Sequence, residues 1–171
     1  GILPGPEVTP WPRLRPILRL TSRIVKINRY SSPGSVGYGR TWQARPGSRV
    51  GVVPIGYADG YPRSLSNRSH VLVRGQRAPV VGRVSMDMIT VDLTQVPVEC
   101  RVGDEVVLIG EPTKPVQVPP ITVGELAELH GTIPYEITCG LSLRVPRVYL
   151  RDGRVVATQT MRYGYREHDG R

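Results

Sequence analysis

The chain has 171 residues, enough for one domain with a sizeable core and too few for two. No apolar run approaches the roughly 18 residues that cross a bilayer, and no charged-then-apolar leader opens the chain, so a soluble, non-secreted, cytoplasmic protein is expected. A net charge of +9 raises nucleic acid as a partner, but only Lys26 and Lys114 are lysines and the arginines are scattered without a dense basic block. Dispersed charge of this kind reads as solvated surface, so nucleic acid is not an expected partner. Two distant cysteines, Cys100 and Cys139, and three scattered histidines, His70, His130 and His168, exclude a disulfide framework and any familiar metal-ligand spacing. Each thiol reads as a small buried filler.

Residues Gly1 to Pro16 are rich in proline and glycine and carry no periodicity, so residues 1–15 are expected to be a linker. Gly1 in place of a methionine suggests a piece of a longer chain. Residues 16–157 follow as the domain proper and 158–171 as a polar tail that frays. From Ile17 to Tyr30, Leu18-Arg19-Leu20-Thr21 and Ile24-Val25-Lys26-Ile27 alternate as strands do, with a phase break between them that predicts one long, bent or bulged strand. Ser31-Ser32-Pro33-Gly34 is a turn.

Short apolar segments then recur between turn signals, at Arg49 to Ile55, His70 to Val73, Pro79 to Val84, Ile89 to Leu93, Glu105 to Ile109 and Val148 to Leu150. Arg74-Gly75-Gln76 and Arg151-Asp152-Gly153-Arg154 are hairpin signals. Many short strands at this spacing predict an all-β barrel or sandwich. One helix is expected, Val123 to His130, with Thr122 as N-cap, Glu125 completing a capping box and Gly131 as the stop.

Three glycine-rich motifs occur in fixed order: Val36-Gly37-Tyr38-Gly39-Arg40-Thr41-Trp42, Pro54-Ile55-Gly56-Tyr57-Ala58-Asp59-Gly60-Tyr61-Pro62-Arg63, and Val81-Gly82-Arg83-Val84-Ser85-Met86-Asp87. Each seats polar or aromatic side chains where the backbone can approach a small ligand. Read singly they are bland: Tyr38 a strand or turn aromatic, Tyr57 a turn residue, Asp59 a carboxylate satisfying turn amides, Met86 a gap-filling core residue.

Together with Arg144-Val145-Pro146-Arg147, the motifs resemble the C-terminal domain of alanine racemase, from about Pro16 to Leu150. The resemblance implies a β-barrel of about eight strands with one short helix, following a larger α/β barrel that is missing from this chain. That larger barrel holds pyridoxal 5'-phosphate on a lysine in the family, so no residue here is assigned to the cofactor. The implied reaction interconverts L- and D-alanine, in a head-to-tail homodimer where this domain faces the other subunit's N-terminal barrel.

Inverting a carbon requires a proton to leave one face of a planar carbanion and arrive on the other, which two bases on opposite faces accomplish. The resemblance assigns one of them to Tyr38, acting in trans. A phenol with an ordinary pKa near 10 serves as a base only beside positive charge, and Arg40 is the nearest candidate in sequence. By the same resemblance Met86 offers its backbone N–H to the substrate carboxylate, and Tyr57 with Asp87 lines the substrate entrance.

Two departures stand out. The family commonly has a tyrosine before Arg-Val-Pro-Arg that reaches the cofactor phosphate, and this chain has Leu143. Neither Lys26 nor Lys114 sits in the family's cofactor-lysine motif, so the fragment is expected to be inactive alone. The alternatives are a nucleic-acid-binding β-barrel and a non-catalytic assembly domain of the same fold.

Overall fold

The computed structural model describes Ile2, residues 14–112 and residues 118–168. The expected linker therefore lies outside the described residues except for Ile2, Leu14 and Arg15, as does Lys114.

The predicted bent strand is two strands, β1 (Leu20–Arg23) and β2 (Lys26–Arg29). Its phase break is a change of sheet. β1 pairs antiparallel with β9 (Glu105–Ile109), whereas β2 pairs with β5 (Arg49–Val53). Between them the Ile24 N–H donates to the Asp104 carbonyl at 3.0 Å and the Val25 N–H to the Val52 carbonyl at 2.9 Å. Ile24 is buried and Val25 exposed, so the chain turns its apolar face over as it passes from one sheet to the next.

The first sheet has the order β1-β9-β6-β7, with β6 (His70–Val73) and β7 (Gln76–Pro79). The second is β2-β5-β8, with β8 (Ile89–Asp92). Their buried residues, including Val53, Val71, Leu72, Ile89, Val91, Val107 and Leu108, form one core. Each such side chain contributes about 1.5–3 kcal/mol by leaving water. A two-stranded ribbon of β3 (Gly34–Val36) and β4 (Trp42–Ala44), too short to show periodicity, flanks the second sheet's motifs.

The expected all-β class holds, with the strands arranged in sheets that do not close on one another, so barrel describes them only loosely. Only a single bridge, Val80 to Val91, links the segment after β7 to β8. Pairing stops there because Pro79 to Val84, read as a strand, bends at Gly82 (φ +74°). Its apolar residues Val80, Val81 and Val84 are buried, but side chains take over from a ladder: Asn67 Oδ1 accepts from the Gly82 N–H at 2.6 Å and Ser66 Oγ from the Val84 N–H at 2.9 Å.

Helix α1 (Val123–His130) forms as expected, with Thr122 Oγ1 accepting from the Glu125 N–H at 3.0 Å and Gly131 left-handed at the C-cap. The capping box is not closed by Glu125, whose carboxylate takes a two-pronged contact from Arg77 at 2.7 and 2.9 Å instead. A second helix, α2 (Pro134–Cys139), corrects the expectation of one. Pro134 at its first turn is the available signal, since its missing N–H is an orphan there in any case. Only Ile137 of α2 is buried, which leaves Cys139 exposed, against expectation, while Cys100 is buried.

After α2 come β10 (Arg147–Arg151), β11 (Arg154–Thr160) and β12 (Gly164–Glu167), a third sheet in that order. Strand pairing thus runs to Glu167, where fraying beyond Ala157 was expected. Tyr149 and Tyr165 meet edge-on at 5.8 Å across the sheet, a contact between residues the sequence keeps apart. No helix among the described residues is long and apolar enough to cross a membrane.

Candidate functional site

The first motif crosses from β3 to β4 through a tight turn, Tyr38–Arg40. Gly37 (φ +73°) and Gly39 (φ +70°) flank Tyr38 in left-handed conformations, and their combined reversal throws the tyrosine outward. Tyr38 is 73% exposed. The backbone beneath it is not free: a Cβ on Gly37 would stand 3.2 Å from the Arg83 N, and one on Gly82 would stand 3.0 Å from the Val36 carbonyl oxygen. First and third motifs therefore meet backbone to backbone, and glycine on both sides is what allows it.

The second motif is a turn over Tyr57–Asp59, closed by its own carboxylate: Asp59 Oδ2 accepts from the Gly56 N–H at 2.9 Å. The third ends in a reversal of Ser85 to Met88, in which Ser85 Oγ donates to the Met88 carbonyl at 2.8 Å and Met86 and Asp87 form the tip. The two loops are zipped together. The Tyr57 N–H donates to the Ser85 carbonyl and the Ala58 N–H to the Met86 carbonyl, both at 3.0 Å. A Cβ on Gly56 would lie 2.3 Å from the Ser85 oxygen, so no side chain fits at that crossing.

An open groove of about 410 Å³ runs beside this assembly, lined by Tyr38, Val52, Arg83, Ser85, Met88 and Thr90 among others. Its floor is the second sheet: Val52 and Thr90 are register partners on adjacent strands, and Lys26 pairs with Val52 on the other side. Arg83, not Arg40, is the cation that shares the groove with Tyr38. Its Nε packs 3.1 Å from where a Gly39 Cβ would stand, and it makes no ion pair among the described residues. Tyr57 and Met86, 44% and 52% exposed, do not line the groove itself but join it through Ser85.

Asp87, Asp59 and Arg144 form a connection that the motifs read one by one did not reveal. Arg144 Nη2 donates to Asp87 Oδ1 at 2.6 Å and its Nε lies 3.4 Å from Asp59 Oδ1. The hydrogen bond to Asp87 first, and the charge of Asp59 after it, hold the guanidinium above its ordinary pKa. All three residues sit in recognisable motifs, but nothing local pairs them.

A covalently held phosphate cofactor does not fit among the groove's lining residues. They include one guanidinium and no lysine, and no buried side-chain nitrogen or oxygen among the described residues lacks a partner. Nor does any cluster among those residues suit a metal ion.

Comparison with known proteins agrees with the arrangement of motifs. The profile of the family "Alanine racemase, C-terminal domain" matches residues 17–149. An alanine racemase of Geobacter sulfurreducens is 50% identical over 151 residues, covering 88% of this chain and 38% of its own length. One of Sorangium cellulosum is 49% identical over 138 residues, 81% of this chain and 36% of its own length. The chain thus spans less than half of these curated relatives. Among solved structures, an alanine racemase from Bacillus anthracis with bound L-Ala-P superposes with a TM-score of 0.83 at 36% identity, covering 94% of this chain and 40% of that one. Another, from Bartonella henselae with covalently bound pyridoxal phosphate, gives a TM-score of 0.69 at 33% identity, covering 77% and 34%. With its family profile matched from residue 17 to residue 149 and its fold shared with solved racemases, this chain belongs to the alanine racemase C-terminal domain family.

Proposed function

We propose that this chain is the portion of a pyridoxal-phosphate-dependent alanine racemase that supplies Tyr38 to a partner subunit's active site in a homodimer. The observation that carries the reading is the setting of Tyr38. It is an aromatic residue 73% exposed on a backbone pinned by Gly37 and Gly82, and its hydroxyl makes no hydrogen bond among the described residues. A rigidly presented phenol without an internal partner is suited to meet something outside its own domain.

In the whole enzyme a cofactor held outside this chain would supply the acidity of the Cα–H of alanine. The residues of this chain then act around that carbon. Tyr38 Oη holds or takes the proton on one face, and a base from the rest of the enzyme serves the other. Arg83 brings positive charge to the side of the groove where a proton acceptor is required.

Met86 acts through its backbone. The Ser85 carbonyl is aimed at the Tyr57 N–H, and in an ordinary trans peptide the N–H lies on the side opposite the carbonyl. The Met86 N–H therefore points the opposite way, out of the zipped loops, and it donates to no group among the described residues. Accepting a bond at the carbonyl polarises the peptide and strengthens the N–H as a donor. A substrate carboxylate is the group it would meet. Tyr57 and Asp87, on the two zipped loops, border the same opening and line the route by which substrate enters.

The test is Tyr38→Phe in the full-length enzyme. Racemisation is expected to fall by about 10²–10⁴-fold, the usual worth of one proton-transfer group. Exchange of the Cα proton of L-alanine with deuterium oxide is expected to stop, while exchange from D-alanine continues. Unchanged turnover would reduce the domain to an assembly module. The 171-residue chain alone, given pyridoxal phosphate, is expected to leave the optical rotation of L-alanine constant.

A further inference from the structure

The tip that carries Met86 is attached to the neighbouring loop along one line only. That line joins two backbone hydrogen bonds, Tyr57 N–H to the Ser85 carbonyl and Ala58 N–H to the Met86 carbonyl. The tip is otherwise closed only on itself, through bonds between Ser85 and Met88, so two anchors on one line resist a tilt about that line least. A third anchor off the line is needed to set the angle of the Met86 N–H.

Arg144 supplies it. Its Nη2 holds Asp87 Oδ1 at 2.6 Å, one residue beyond Met86, while its Nε reaches Asp59 Oδ1 at 3.4 Å on the loop opposite. Asp59 is itself immobilised, because its other oxygen accepts from the Gly56 N–H at 2.9 Å. The base of Arg144 is seated on the same loop. The Ser142 N–H donates to the Asp59 carbonyl at 3.1 Å, and the Arg144 N–H to Ser142 Oγ at 3.2 Å. The 140–141 backbone presses so closely on Gly60 that a Cβ there would stand 2.3 Å from the Gly140 oxygen. The guanidinium thus projects from a fixed platform on the Tyr57 loop to the free end of the Met86 loop.

Only a planar fork with several donors spans both carboxylates. A lysine ammonium is a single point of charge on a flexible stem and serves one of them at a time. We infer that Arg144 is a positioning residue for racemisation, fixing the Met86–Asp87 tip at the angle from which the Met86 N–H meets a substrate carboxylate. This rests on the proposed role of Met86, and it adds a determinant of carboxylate recognition that does not itself touch substrate.

The experiment measures KM and kcat of the full-length enzyme carrying Arg144→Met, Arg144→Lys or Asp87→Asn, with ethylamine as a competitive probe that has no carboxylate. A misaligned hydrogen bond to a charged group predicts about a tenfold rise in KM for both alanine enantiomers in Arg144→Met, with kcat altered less than about threefold. Ethylamine inhibition is expected to stay unchanged, because the effect is confined to the carboxylate. Arg144→Lys is expected to recover part of the loss, and Asp87→Asn, which preserves shape, to reproduce it. An unchanged KM in Arg144→Met, or a weakening of ethylamine by the same factor as alanine, overturns the inference. Should Arg144→Met fail to fold, Asp87→Asn decides together with ethylamine: a KM raised for alanine with ethylamine unchanged supports it, and a wild-type KM, or ethylamine weakened by the same factor, overturns it. Tyr38→Phe, run beside them, separates the two readings, since a dead Tyr38→Phe with a wild-type Arg144→Met defeats only the role of Arg144.

Discussion

The Tyr57 N–H donates to the Ser85 carbonyl at 3.0 Å, which makes the second and third motifs a single hydrogen-bonded unit. Gly56 sits at their crossing with no space for a side chain. Gly56→Ala would push a methyl group to 2.3 Å from the Ser85 oxygen and 2.4 Å from the Met86 oxygen, both backbone atoms that cannot swing away. The backbone at Gly56 is extended, so the penalty is one of contact and not of dihedral strain. Overpacking of this kind costs about 1–3 kcal/mol. Urea unfolding of the chain is expected to show a lower midpoint with an unchanged slope, and the full-length variant a raised KM.

Tyr61 lies wholly in the core, with its hydroxyl 2.8 Å from Ser69 Oγ. Burial drives its phenol far above the ordinary value of 10.0, against the smaller opposing effect of the Ser69 hydrogen bond. The unfolded chain releases this proton once the pH passes about 10 while the folded chain retains it, so the stabilisation is complete below that pH and is lost progressively above it. Alkaline titration followed by tyrosine absorbance is expected to show one tyrosine that ionises only together with unfolding. Tyr61→Phe removes that late step at a cost of about 1 kcal/mol, since Ser69 still donates to the Leu65 carbonyl.

Helix α1 offers opposite changes two residues apart. Thr122→Ala deletes the acceptor for the Glu125 N–H and is expected to cost about 1 kcal/mol. Gly124→Ala adds a methyl group whose nearest neighbour is Thr122 Oγ1 at 3.8 Å, an ordinary contact, and is expected to stabilise by about 0.5–1 kcal/mol. Thermal unfolding of the two variants would move the midpoint in opposite directions.

The cysteines differ in reach. Cys139 is exposed at the end of α2, while Cys100 is buried and its thiol is pushed up in pKa chiefly by that burial. At neutral pH a thiol reagent is expected to label Cys139 promptly and Cys100 only after denaturant is added. Equal labelling rates in the native chain would contradict the burial of Cys100.

Much of the architecture was legible because its causes are local. The Arg74-Gly75 and Asp152-Gly153 hairpins, both left-handed at their two central residues, are read from four-residue signals, as are the Thr122 cap and the Gly131 stop of α1. The segment from Ile17 to Tyr30 announced its own break, but not that the break was a transfer between sheets. Pro79 to Val84 misled because burial makes a segment apolar whether or not it pairs. β12 was missed because its residues are exposed and polar, and its pairing with β11 is visible only once the chain has turned back.

The sequence by itself determined the glycine-bounded motifs and the conformations they allow, because a residue's φ and its caps depend on its immediate neighbours. Tertiary structure alone decided that Arg83 and not Arg40 accompanies Tyr38, that Asp59 spends one oxygen on Gly56 and the other toward Arg144, and that Arg144 joins it to Asp87. Such pairings join residues far apart along the chain, and a guanidinium has no preference among carboxylates until folding brings two of them within its span.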